Sequence, residues 1–139
     1  VGHEDGHRHE HAVQLRWSDP DAYGHVNHAR ALSLLEDARL ALAAQAPGTR
    51  PGRLPDIILA RLEVDYLQQL RYRVGEVLTV WSWVARVGTR SVTVRQELVQ
   101  DGRVAIRADG VAVLFDIEAD ASRPLDDDER AFWSRYLER

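Results

Sequence analysis

Apolar and polar positions change rhythm along this chain, and the rhythm sets out its elements. Residues 11–17 (HAVQLRW) alternate well enough for a strand. Residues 28–46 carry no Gly or Pro until Pro47 and read as a helix. Its stripe runs through Leu32, Leu35, Ala38, Leu42 and Ala46, widened by Leu34, Ala41 and Ala44. So broad an apolar surface predicts a helix packed deeply against a sheet. The Pro/Gly-rich segment 47–56 reads as a loop. Four strand-like runs follow, at 57–66, 77–87, 91–100 and 103–116. In the first, Ile58, Ala60, Leu62, Val64 and Tyr66 form the apolar face. The second, VLTVWSWVARV, is apolar on both faces, as expected of a central strand or of one at an interface. Asp101-Gly102 is a strong hairpin signal. Asp126 and Glu129 have capping-box spacing, which predicts a last helix to about Leu137.

The order strand, long helix, four strands, short helix points to an α+β domain. About five mostly antiparallel strands in one sheet would wrap one long helix. Residues 11–139 form that single domain on this reading, and residues 1–10 a disordered tail.

Composition narrows the chemistry. At 139 residues and 45% hydrophobic, the chain can bury one real core. No apolar run approaches the roughly 20 residues of a membrane span. The start, VGHEDGHRHEH, is too polar for a signal peptide, and there is no cysteine, so a cytoplasmic location is expected. A net charge of -4 argues against a general nucleic-acid binder. All 18 basic residues are arginine. Schiff-base lysines, thiol nucleophiles and the Gly-x-Ser-x-Gly elbow are therefore absent. Any catalysis falls to Asp, Glu, His, Tyr, Ser or Thr, or to a metal.

The densest set of such residues is RWSDPDAYGHVNHARALSLLEDAR, Arg16 to Arg39. Asp19-x-Asp21-x-x-Gly24 starts like a calcium loop, but Arg30 stands where the bidentate glutamate belongs. His25, His28 and Asp21 could approach a transition metal, yet no second His/Asp cluster supports them. Two readings remain at this point. Asn27 caps the helix and the aspartates complement its dipole. Alternatively, the helix start polarises a carbonyl oxygen while a nearby carboxylate attacks it or activates water.

The same stretch resembles the signature of the 4-hydroxybenzoyl-CoA thioesterase-like branch of the hotdog-fold acyl-CoA thioesterases, roughly Asp-x-Asp-x-x-Gly-His-Val-Asn before the central helix. Asp19, Asp21, Gly24, His25, Val26 and Asn27 match it, as do Glu36 and Arg39 in the helix. The likeness runs on through LEVDYLQQLRYRVGEVLTV, VARVGTRSVTVRQELVQDG and Arg123-Pro124-Leu125. It implies a hotdog fold and hydrolysis of a fatty or aromatic acyl-CoA. Asp21 would be the nucleophile or general base, and the backbone N–H of His28 the oxyanion donor. Tyr23, Gly24, His25, Val26, Asn27, Arg90 and Ser91 would meet the substrate, with His25 and Asn27 ordering the loop and Asp19 bracing it. Arg71, Arg73, Arg86 and Arg90 are candidates for the coenzyme A phosphates. No cofactor or metal is implied, because coenzyme A is part of the substrate. The expected partner is a second copy, in a dimer or tetramer with sites at the subunit boundary, and neither nucleic acid nor membrane. Three departures stand out. Proline separates the aspartates, His28 replaces a common asparagine, and Ala31 and Leu34 stand where tyrosines are frequent. The last implies a roomier, more apolar pocket. Rival readings are an acyl-carrier-protein thioesterase, a non-catalytic acyl-CoA-binding hotdog protein and, behind these, a hotdog dehydratase.

Overall fold

The structure, a computed structural model, describes residues 7–139. In chain order it contains β1 (His9–Gln14), α1 (His28–Ala43), β2 (Ile57–Tyr66), β3 (Val77–Val87), β4 (Ser91–Gln100), β5 (Arg103–Asp116), β6 (Ala121–Ser122) and α2 (Asp127–Ser134). The sheet order is β1-β3-β4-β5-β2, with β6 paired to β5. Every pairing between these strands is antiparallel. The four later strands match their expected spans, and the two-residue β6 is an addition.

β1 begins two residues before its expected start and ends three before its expected end. It is zipped to β3 from His9↔Ser82 to Gln14↔Val77, and β3 has no residues beyond Val77 to pair with 15–17. The expected tail therefore loses His9 and Glu10 to the sheet, and its residues 1–6 lie outside the described residues. α1 stops at Ala43 instead of 46, in tighter turns closed by Gln45 N–H on Leu42 O and Ala46 N–H on Ala43 O. α2 stops at Ser134 because the chain leaves it to pair with β3. Val84 N–H donates to Tyr136 O (2.9 Å), and Glu138 N–H to Val84 O (2.8 Å).

β2 shows why its simple alternation fails. Leu59 faces Ala112 and Arg61 faces Val111, so Ala60 is an extra residue in the ladder. Such a bulge shifts the side-chain phase by one. Ile57 lies half-buried before the bulge, and Leu62 and Val64 after it, while Ile58 and Ala60 turn outward. Tyr66, opposite Ile106, consequently shares the inner side with Leu62 and Val64. The β4–β5 turn behaves as its residues require: Asp101 and Gly102 both have positive φ, 56° and 70°.

α1 lies across the inner face of the sheet and buries Ala31, Leu34, Leu35, Ala38, Arg39, Leu42 and Ala43. Its stripe is rotated from the expected one, leaving Leu32 and Ala41 half-buried and Ala44 exposed. The rotation brings in Arg39, whose guanidinium donates to Gln96 Oε1 (3.0 Å). Gln96 Nε2 in turn donates to Leu35 O and Ser82 Oγ. Burial lowers the pKa of Arg39, against an opposing effect from Glu36. A second apolar cluster joins Leu42, Val84, Val92, Val94 and Leu114 to Phe132 and Trp133 of α2, whose capping box is formed by Asp126 and Glu129. The two-faced character of β3 has an explanation within the chain. Val80 and Val84 are fully buried, while Trp83 lies under the Arg8 guanidinium (3.8 Å to the ring) and donates to Glu138 Oε1 (2.7 Å).

Candidate functional site

The two aspartates of the 15–27 loop have opposite environments. Asp19 is 4% exposed. It accepts the backbone N–H of Arg16 (2.6 Å), pairs with the Arg16 guanidinium (3.1 Å) and meets Arg30 Nε from α1 (3.1 Å). Burial acts to raise its pKa, but the Arg16 N–H and the guanidiniums of Arg30 and Arg16 together hold it below the ordinary carboxylate value. Asp19 thus ties the loop to the first turn of the helix.

Asp21 is exposed and shaped by the turn it closes. Its Oδ1 accepts the N–H groups of Tyr23 (2.8 Å) and His25 (3.2 Å). Its backbone N–H donates to His25 O (2.8 Å), and Gly24 N–H donates to Asp21 O (3.1 Å). Gly24 makes this possible at φ +79°, a conformation a side chain would strain. The loop is then laid against residues 70–72. Val26 N–H donates to Leu70 O, Tyr72 N–H to Gly24 O, and His25 bridges Arg71. Asn27 is the N-cap of α1, accepting Ala29 N–H on Oδ1 (2.8 Å). The N–H of His28, at the first helical position, has no intrahelical acceptor.

These residues meet in a cleft of about 530 Å³. Asp21, His25, Val26 and Asn27 form one side, and His28 and Ala31 extend it along the helix. Tyr66 and residues 67–70 form the opposite wall, and Ile106 of β5 completes it. The His28 ring meets the Tyr66 ring edge-on, with centroids 6.3 Å apart at 84°. Of the two helix positions expected to widen the pocket, Ala31 lines it, while Leu34 is 1% exposed in the core.

The remaining expected site residues divide. Tyr23 and Gly24 belong to the loop but not to the cleft lining, and Tyr23 is 84% exposed. Arg90 and Ser91 are not brought to this cleft at all. Ser91 pairs with Val113, seven positions along β5 from Ile106, or about 23 Å at the rise of an extended strand. The β3–β4 turn places both at the other end of the sheet, where Arg90 donates to Ser122 O (2.8 Å). Of the other arginines considered for phosphates, Arg71 adjoins the cleft loop. Arg73 is already held by Asp101 (2.6 and 2.9 Å) and Glu76 (3.3 Å). Tyr66, residues 67–70 and Ile106 are the wall that the motif did not reveal. Their place follows from the β2–β5 register, in which Tyr66 faces Ile106. Among the described residues, no group of three or more His, Cys, Asp or Glu side chains is arranged to hold a metal ion. Nor is any helix there long and apolar enough to cross a membrane.

Residues 15–132 match the model of a family described as the thioesterase-like superfamily. No curated protein matches the chain. Among solved structures, one described as a predicted thioesterase from Bacillus stearothermophilus is 26% identical, with a TM-score of 0.83 over 94% of this chain and 97% of that one. A thioesterase from Thermus thermophilus, complexed with coenzyme A and Zn, is 28% identical, with a TM-score of 0.74 over 88% and 94%. A thioesterase superfamily structure from Jannaschia sp. CCS1 is 23% identical, with a TM-score of 0.80 over 93% and 92%, a likeness of fold alone. The helix wrapped by an antiparallel sheet is the hotdog arrangement expected from the sequence.

Proposed function

Since the chain belongs to the thioesterase-like superfamily, we propose that it hydrolyses the thioester of an apolar acyl-CoA in the Asp21 cleft. The observation that carries this reading is one cleft lined by both a carboxylate and the start of a sixteen-residue helix. Asp21 Oδ1 is held by two backbone N–H groups, which leaves Oδ2 to act on water or on the carbonyl carbon. A thioester oxygen near the N–H of His28 would gain charge at the positive end of the helix dipole, where a donor is typically worth about 10²–10³ in rate. Ala31, Leu70 and Ile106 supply apolar wall for the acyl group. The coenzyme A bound to the Thermus thermophilus neighbour supports that carrier for this chain as well.

The test is a hydrolysis panel of short, long, branched and aromatic acyl groups, each on coenzyme A and on acyl carrier protein. Turnover of the coenzyme A series with Asp21 dependence is the expected result. Turnover of no thioester overturns the reading, and a strong preference for the protein carrier replaces its substrate.

The working unit on this reading contains a second copy. Among the described strands β2 pairs with β5 alone, so its other edge is open, and Ile58 and Leu59 on it are 45% and 40% exposed. Open apolar edges invite pairing. Antiparallel pairing of two β2 edges would carry the end of one subunit that bears Arg90 and Ser91 toward the cleft end of the other. Leu59→Arg is expected to shift the protein toward monomer in analytical ultracentrifugation and to lower activity with it. An unchanged mass would remove β2 from the interface.

A further inference from the structure

We infer that the His28 imidazole is itself a catalytic residue, the general acid that protonates the departing thiolate. The inference rests on the thioesterase reading of the cleft and assigns a task to a side chain that reading leaves idle. A carboxylate and a helix N-terminus account for attack and for the oxyanion. They supply no separate proton to the leaving group, and an alkanethiolate is a basic one.

The geometry singles out His28 for that task. Its backbone begins the helix, it lines the same cleft as Asp21, and its ring packs on that of Tyr66, another residue of the lining. The ring is set from the opposite wall by Tyr66, edge-on at 84°. The residue is exposed, so water reaches it in the cleft. The other titratable groups facing the cleft are Asp21 and His25 from the loop and Tyr66 from β2. Residues 67–70, Ala31 and Ile106 bring none. His25 is half-buried, with its backbone held by Asp21 on one side and Arg71 on the other, and so has the loop-ordering position.

Asp21 takes a proton from water as the water oxygen bonds to the carbonyl carbon. The resulting oxyanion lies at the N–H of His28. On collapse the C–S bond breaks, its electron pair stays on sulfur, and the His28 imidazolium gives its proton to that sulfur. The products are the carboxylic acid and the thiol. The proton on Asp21 then returns to the imidazole, directly or through water, and both groups are reset.

A leaving-group comparison tests this without removing the oxyanion donor, since His28→Gln keeps the backbone N–H. The probes are the coenzyme A thioester and an electron-poor thiophenyl thioester of the same acid, whose thiolate leaves without help. General acids contribute about 10²–10⁴-fold in favourable cases. His28→Gln is expected to lower kcat/KM for the coenzyme A ester by at least about tenfold more than for the aryl ester. His28→Asn, with its shorter amide, should repeat that ratio. If both esters fall equally, or neither falls, the imidazole is not the acid and the thioesterase reading still stands. If His25→Gln gives the selective loss instead, the acid is His25 and the inference is overturned. If the wild type hydrolyses neither ester, the thioesterase reading fails and takes this inference with it.

Discussion

Asp21→Asn is expected to lower kcat/KM for thioester hydrolysis by about 10³-fold, within the 10²–10⁴ range of a positioned acid or base. The fold should survive. Asp21 is exposed, and an Asn Oδ1 can still accept from the Tyr23 and His25 N–H groups that shape the turn. A melting temperature close to wild type, measured beside the kinetics, separates lost chemistry from a lost loop. Asp21→Ala removes the acceptor as well and should combine the loss of rate with a looser loop. Retention of more than about a tenth of the activity by Asp21→Asn would take the reaction away from this carboxylate. One turnover in ¹⁸O-labelled water bears on its two candidate roles: label on Asp21 would show a mixed anhydride opened at the Asp21 carboxyl carbon, an intermediate that a general base never forms.

The opposite pattern is expected two residues earlier. Asp19→Asn should cost about 2–4 kcal/mol of stability, because removing one partner of a buried ion pair strands the others. The upper part of the usual range is discounted because the Arg16 side chain is 63% exposed and can rehydrate. Denaturant unfolding at neutral pH measures the loss. Its pH dependence has a definite sign. The Asp19 carboxyl is held below its ordinary value in the folded chain, so its contribution is complete above the unfolded value of about 3.9 and fades as pH falls through the lower folded value. The gap between wild type and Asp19→Asn should therefore narrow in acid. A gap that stays constant there would show that Asp19 acts through shape and not charge.

These two aspartates also show how far a sequence can be read. Their motif was legible, and so was the presence of the helix that follows it, because loop and cap are local, while the rotation of its buried stripe was not. The spans of β2, β3, β4 and β5 were legible for the same reason: alternation and turn residues such as Asp101-Gly102 act over a few positions. What stayed hidden depends on distant partners. The phase of β2 turns on an extra residue, Ala60, visible only against Ala112 and Val111 of β5. Arg39 looked like the end of a helix motif, yet it is buried because Gln96, far along the chain, offers an acceptor. The same limit explains the cleft. Asp21 to His28 is one local stretch, while Tyr66, residues 67–70 and Ile106 arrive by strand pairing. Arg90 and Ser91 followed from resemblance alone, and the β3–β4 turn carries them to the far end of their own subunit.

The strand order has a bearing on how the molecule assembles in time. β3, β4 and β5 succeed one another through turns at 88–90 and 101–102, so their contacts close short loops. The two edges do not: β1 reaches β3 across residues 15–76, and β2 reaches β5 across residues 67–102. Loop-closure entropy rises with the logarithm of loop length, and distant pairings slow folding. The central meander is thus the natural nucleus, and the edges are late arrivals. The Asp21 turn hangs between β1 and α1 and leans on residues 70–72 just past β2, so it depends on both edges. During refolding, recovery of hydrolysis should accordingly lag behind recovery of the far-ultraviolet circular dichroism of the sheet, and simultaneous recovery would mean that the edges dock with the meander. A half-assembled chain would look folded to a spectrometer while lacking the turn that presents Asp21 to the cleft.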